Sequence, residues 1–238
     1  MLKEALIYLM EKMSLVDIKE VNGEVYSDRP LYRVNHNPKA AQIEMNTLSS
    51  LIEYIKSGFD DIGKVFVHIG SPTEVHVYSA LDEDRVREHL VCAEAQVPSF
   101  RFNEYISHEE FCIALQSKFA DSPDRALLLK FAGTVEAGSV QQYSDDGVTQ
   151  KATIKVGVAG KQDALVPNPV SLSAFRTFVE VEQPCSQYIF RMKQGINGNV
   201  MCGLFEADGG AWKLDAMQNI KEYLTENLEG VENLAVIY

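Results

Sequence analysis

The stretch Val166-PNPVSLSAFRTFVEVEQPCSQYIFRMKQ-Gly195, followed by Gly203-LFEADGGA-Trp212, decides how this chain reads. Pro167, Pro169 and Pro184 each fix φ and push the preceding residue toward extended geometry, so the segments around them read as strand starts and corners. AFRTFVEVE, QYIFRMK and NVMCGLFEA then predict three strands on a stiff frame. A helix from about Ala211 to Leu228 follows, with Trp212, Met217, Ile220, Leu224 and Leu228 near one face, and the strand NLAVIY comes after it.

Upstream, Leu2, Leu6 and Leu9 or Met10 recur at helical spacing in a short amphipathic helix over residues 1–13. Asn22-Gly23 between two alternating runs predicts a hairpin, because both residues tolerate positive φ. Arg29-Pro30 and Asn37-Pro38 punctuate another extended piece, and AAQIEMN reads as a strand. In TLSSLIEYIKSG, Leu48, Leu51, Ile52 and Ile55 share one helical face, with Asn46 or Thr47 as cap and Gly58 as stop. KVFVHIG and TEVHVYSA flank Ser71-Pro72 as a second hairpin, with a strand through VREHLVCAEA after it. Ser107 and Glu110 form a capping box ahead of FCIALQSKFA, and RALLLKFAG makes a shorter helix. Residues 134–158 read as a long hairpin turning at Asp146-Gly147. Strands and helices that alternate without βαβ spacing give an α+β class: mostly antiparallel sheets, about four helices and a long β-hairpin. The expected division is an N-terminal α+β part, 1–133, and a strand-rich C-terminal part with a terminal helix, 134–238, or one intertwined domain.

The chain has 238 residues, 46% of them hydrophobic and 24% charged, which is an ordinary globular composition. Its net charge of −12 repels phosphate backbones and argues against direct nucleic-acid binding. Arg85, Arg87 and His89 are diluted by Asp82, Glu83, Asp84 and Glu88, a pattern of a solvated mixed-charge face. Cys92, Cys112, Cys185 and Cys202 lack CxxC or close CxxxC spacing, which speaks against zinc and disulfides and for reduced, mostly buried thiols in a cytoplasmic protein. The first residues lack a signal-peptide core, and no window has the roughly 18 apolar residues of a membrane span.

Searches for phosphate loops, dinucleotide fingerprints, zinc-protease and serine-hydrolase motifs and EF-hands return nothing. His68 and His76 lie on paired strands, but a two- or four-residue loop at Ser71-Pro72 sends them to opposite faces, and only a three-residue loop joins them. His36 and His89 have no recognisable partner, and His108 reads as an exposed residue in a first helical turn. The dense polar set is Arg176, Glu180, Glu182, Arg191, Glu206 and Asp208. Glu180 and Glu182, two apart on an expected strand, share a face suited to acid-base chemistry or a hard cation. The stronger reading is structural: Arg176 and Arg191 pair with these acids and lock strands or an interface, while Asp208 caps the last helix. No catalytic residue, cofactor or metal follows from this set.

The run PNPVSLSAFRTFVEVEQPCSQYIFRM, LFEADGGAWKLDAMQNIKEYL after it, EEFCIALQSKF upstream and the DDGVTQ turn resemble an uncharacterised family of phage and prophage proteins typified by YfdQ. The likeness spans most of the chain beyond about Leu48 and transfers no activity or catalytic residue. It implies a phage or prophage origin, with a Gram-positive host, and action in the host cytoplasm during infection. With a strand-rich fold, a protruding hairpin and a terminal LAVIY edge, the expectation is a non-enzymatic protein that self-associates into a homo-oligomer, ring- or shell-like in form. The alternative is an accessory factor in phage replication, recombination or counter-defence that binds a host protein or a nucleotide ligand. Phage or host proteins are the expected partners beyond the chain itself, and an enzyme built on the carboxylates ranks third.

Overall fold

The computed structural model describes residues 2–14, 16, 18–28, 30, 39–141, 151–156, 160–165, 167–196 and 198–238. Backbone packing divides the chain into two units, Met1–Lys39 and Ala40–Tyr238. In the first, helix α1 (Leu2–Ser14) precedes an antiparallel hairpin of β1 (Ile18–Val21) and β2 (Glu24–Ser27). Asn22 and Gly23 take φ of 57° and 82°, the positive values a two-residue hairpin turn of this twist demands. No residue of this unit whose exposure is described is buried. The extended piece expected through Asn37-Pro38 lies outside the described residues.

The second unit holds three sheets. The largest runs in the order β14-β4-β5-β6-β3, from β14 (Leu234–Ile237), β4 (Val65–Ser71), β5 (Glu74–Ser79), β6 (His89–Glu94) and β3 (Ile43–Met45). Its centre is antiparallel, whereas β14 and β3 join β4 and β6 in parallel. Helices α2 (Leu48–Ser57) and α5 (Trp212–Asn227) cover one face, where Leu51, Ile55, Ile220 and Leu224 bury against Val67, Val75 and Val77. The strict alternation of β4 and β5 puts those valines on the helix side and the intervening Phe66, His68, His76 and Tyr78 on the other. Thr47 caps α2 by accepting from the Ser50 N–H, and Gly58 ends it in the left-handed region at φ 60°.

A second sheet, β11-β12-β13-β7, comprises β11 (Val170–Ser173), β12 (Cys185–Gln194), β13 (Val200–Glu206) and β7 (Ile106–Ser107). Helices α3 (His108–Ser117) and α4 (Pro123–Thr134) lay Phe111, Leu115 and Leu128 on Tyr188, Phe190 and Leu204 to make the second core. Ser107 and Ser122 cap these helices by accepting from the Glu110 and Arg125 N–H groups. The third sheet, β10-β9-β8, is antiparallel and uses β8 (Val135–Gln141), β9 (Lys151–Val156) and β10 (Gly160–Leu165). The first two strands are arms of the expected long hairpin, whose turn at Asp146-Gly147 lies outside the described residues, and β10 was not anticipated.

The class is therefore mixed α+β, with five helices among the described residues and mostly antiparallel sheets. Segments on either side of residue 133 share sheets, since β14 pairs with β4 and β13 with β7. No helix among the described residues is long and apolar enough to cross a membrane.

Two expectations about the backbone need correction. AFRTFVEVE is not a strand, because beyond a single bridge at Ala174 the backbone turns. The buried Gln183 amide accepts from the Arg176 N–H at 3.1 Å and donates to the Phe178 and Val181 carbonyls at 2.9 and 3.2 Å, closing a loop where a ladder was expected. Asp208 does not cap α5, which starts after Ala211 without a side-chain cap; it accepts instead from the Gly210 N–H and shapes the turn before the helix.

Candidate functional site

Two polar clusters stand out in the second unit. The first gathers Arg176, Glu206 and Asp208, half of the set singled out in the sequence. The Arg176 guanidinium donates to Glu206 Oε1 at 2.8 Å and to the Ser186 hydroxyl, while its plane lies 3.8 Å from the centre of the Trp212 ring. Phe102 and Tyr188 close around it at 5.3 and 5.7 Å. Burial pushes the Tyr188 hydroxyl up to about 12 against the opposing pull of Arg176. For Asp208, burial acts upward, but the Ser186 hydroxyl, the Gly210 N–H and Arg176 outweigh it and hold the carboxyl below its ordinary range. One guanidinium thus serves two carboxylates beneath an aromatic lid, with Arg176 Nε, the Tyr188 hydroxyl and Asp208 Oδ2 buried without a hydrogen-bond partner.

The other three residues go elsewhere. Glu180 sits at the N-terminus of α2, accepting from the Leu48 and Ser49 N–H groups at 3.3 and 2.8 Å and from the Ser49 hydroxyl at 2.8 Å. Glu182 is exposed, and its carbonyl accepts from Asn219. Since neither lies on a strand, the shared carboxylate face does not exist. Arg191 stands opposite Gly203 on β12, on the face away from Ser186, Tyr188 and Phe190, so strand parity separates it from Glu206. Its charge instead lies near Tyr105.

The second cluster occupies the face of the five-stranded sheet that α2 and α5 leave uncovered. His68 and His76 are directly opposite each other, and both rings rise from one face. The two-residue turn is Pro72-Thr73, and a bulge at Gly70 slips the register by one, which reverses the parity expected for that loop length. A second bulge beside Tyr78 sets His89 opposite it, and the two rings stack at 4.5 Å. His76 Nδ1 then lies 3.0 Å from His89 Nε2, and His76 Nε2 lies 3.5 Å from Glu74 Oε1. Cys92 is the cross-strand partner of His76, with its Sγ 4.0 Å from Glu74 Oε1. One donor atom from each of Glu74, His76 and Cys92 falls within 4.8 Å of the others.

Burial lowers the His76 pKa, with Glu74 pulling the other way, and burial followed by Glu44, Glu74 and Glu94 raises that of the Cys92 thiol. Glu44 enters because β3 places it beside Cys92. His89 is therefore not part of a solvated charged face, although Arg87 is exposed, lying over the Phe66 ring at 4.7 Å. His108 is half-buried, 2.6 Å from the Ala132 carbonyl of α4, which corrects its expected exposure. His36 lies outside the described residues. All four cysteines are free, two of them buried. Sequence reasoning missed the second cluster because its side chains come from neighbouring strands: Glu74, His76 and Cys92 meet through the β5–β6 register, and only the placing of His68 and His89 depends on bulges. For His68 the usable signal was Gly70, a strand glycine next to a hairpin turn. No family model, curated protein or solved structure matches the chain.

Proposed function

We propose that this chain is a non-enzymatic, self-associating protein of phage or prophage origin that assembles as a homo-oligomer through α1. The observation that carries the reading is the apolar seam of that helix. Leu2, Leu6 and Leu9 are 83%, 55% and 57% exposed and follow a four-then-three spacing, the seam of a helix that packs on another helix. A helix of 13 residues is marginal alone in water, and no residue of its own unit whose exposure is described is buried against it. Lys3, Glu4, Glu11 and Lys12 sum to zero, so copies meet there without the repulsion of the −12 chain. The same balance disfavours an anionic membrane surface, which calls for a basic polar face.

The β14 edge supplies a second contact. Val65 donates to the Asn233 carbonyl, so in the parallel ladder Ala235 and Ile237 engage β4, while Leu234 and Val236 turn their backbone groups to the free side. LAVI carries no charge or proline to guard that edge. The likeness of residues beyond Leu48 to the YfdQ-typified family supports the phage origin.

Light scattering coupled to size exclusion over a concentration series tests the reading. The full chain is expected to form a defined oligomer. Changing Leu6→Glu and Leu9→Glu together should weaken it at least about 100-fold, since each leucine contributes up to about 1.5–3 kcal/mol when buried. Unfolding of the two cores should be unchanged, because their residues all lie within Ala40–Tyr238. A monomer at high micromolar concentration, or an oligomer indifferent to both changes, would overturn it.

A further inference from the structure

We propose that Glu74, His76 and Cys92 bind a divalent transition-metal ion of the zinc type on the uncovered face of the five-stranded sheet. Thiolate, imidazole and carboxylate together make a borderline-soft donor set, whereas magnesium and calcium take oxygen alone. Donors around a tetrahedral zinc ion, with bonds of about 2.0–2.3 Å, lie about 3.3–3.8 Å from one another. Glu74 Oε1 already stands 3.5 Å from His76 Nε2 and 4.0 Å from Cys92 Sγ. All three donor atoms lie within 4.8 Å of one another, so binding draws the His76 and Cys92 side chains, on directly paired cross-strand positions, toward each other by rotation, and the half-exposed Glu74 follows.

The surroundings supply what such a site requires. In the tautomer in which His76 donates Nδ1–H to His89, its Nε2 lone pair faces the Glu74 carboxylate, two acceptors that a cation between them would satisfy. Tyr78 holds His89 by stacking, and Glu44 and Glu94 stand opposite Cys92 and Glu74 on the flanking strands, drawing cations to the face. On binding, the Cys92 S–H bond breaks, the sulfur bonds the ion and one proton leaves to solvent; His76 enters neutral and Glu74 ionised. Three protein donors leave a fourth position for water, an open site. The proposal is independent of self-association, since all these residues lie within Ala40–Tyr238.

Cobalt(II) titration of the full chain, stripped with chelator and transferred to chelator-free buffer, tests it. A thiolate-to-cobalt charge-transfer band should saturate at one ion per chain and vanish when zinc is added. Cys92→Ser should abolish the band, and Cys185→Ser, at an exposed remote cysteine, should retain it. His89→Gln should weaken binding about 10–100-fold as the positioning partner of His76. Glu74→Gln, at an exposed position that leaves the fold intact, should weaken binding by at least tenfold even if Cys92→Ser folds poorly. Absence of the band at stoichiometric cobalt, a band that survives Cys92→Ser, or unchanged affinity in Glu74→Gln would overturn the proposal.

Discussion

The Arg176 cluster and the His76 cluster use similar chemical groups on neighbouring sheets and end in opposite states. Around Arg176, charge meets countercharge: Glu206 and Ser186 take the guanidinium, Trp212 lies across it, and Asp208 sits beside it. Around His76, a thiol, a carboxylate and an imidazole converge. Polar groups that pair with an opposite charge hold a fold together. Groups of like demand that converge are where the proposed ion would bind.

The sharpest way to break the comparison is to remove a cation from the first cluster. Arg176→Met strands Glu206 and Asp208, and breaking a buried pair costs about 3–5 kcal/mol. The low end, about 3 kcal/mol, is expected because Glu206 retains 31% exposure. Arg176→Lys should recover little, since a point charge cannot serve Glu206, Ser186 and the Trp212 face together. Urea unfolding at neutral pH reads both changes. By contrast, His76→Gln should cost under about 1 kcal/mol, the worth of one half-buried hydrogen bond. If the two substitutions cost the same, the division between a locked and a ligating cluster fails.

A smaller effect is expected at Glu180, which carries a structural task from far along the chain. Its carboxylate stands over the first turn of α2, where it adds to the Thr47 cap. Glu180→Gln should therefore lower stability by about 1 kcal/mol, measured by chemical denaturation, with no effect on cobalt binding.

How much of this was legible in the sequence depends on the range of the interaction. Caps and turns were readable because they are local: Thr47 to Ser50, Ser107 to Glu110, and the Asn22-Gly23 turn each span a few residues. The Arg176–Glu206 pair was also foreseeable, since both lie in one dense polar stretch. Residues 174–182 misled because TFVEVE alternates like a strand; Phe178 and Val181 are both buried at a spacing of three, and the Gln183 amide just after them settles the backbone through bonds that no residue pattern announces. The His76 cluster was hidden for a related reason. His76 and Cys92 are 16 residues apart by position, and only two bulges bring His68, His76 and His89 to one face.

Acid titration offers the finest separation of the two clusters, in chelator-treated protein. Burial lowers the His76 pKa in the folded state below the ordinary value of about 6.5, so the unfolded chain binds the proton first. The stability this contributes is complete above about pH 6.5 and declines as pH falls through the folded value. Asp208 is likewise held below its ordinary value of about 3.9, so its contribution persists to that pH and declines only beneath it. Each slope is bounded by about 1.4 kcal/mol per pH unit, the limit for one proton. His76→Gln should flatten the upper limb and Asp208→Asn the lower one. The informative failure is a rise in stability as pH falls through 6.5, abolished by His76→Gln. It would mean that the attraction of Glu74 outweighs burial, that His76 is held as an imidazolium paired with that carboxylate, and that this cluster, like the one around Arg176, is already built on an internal ion pair.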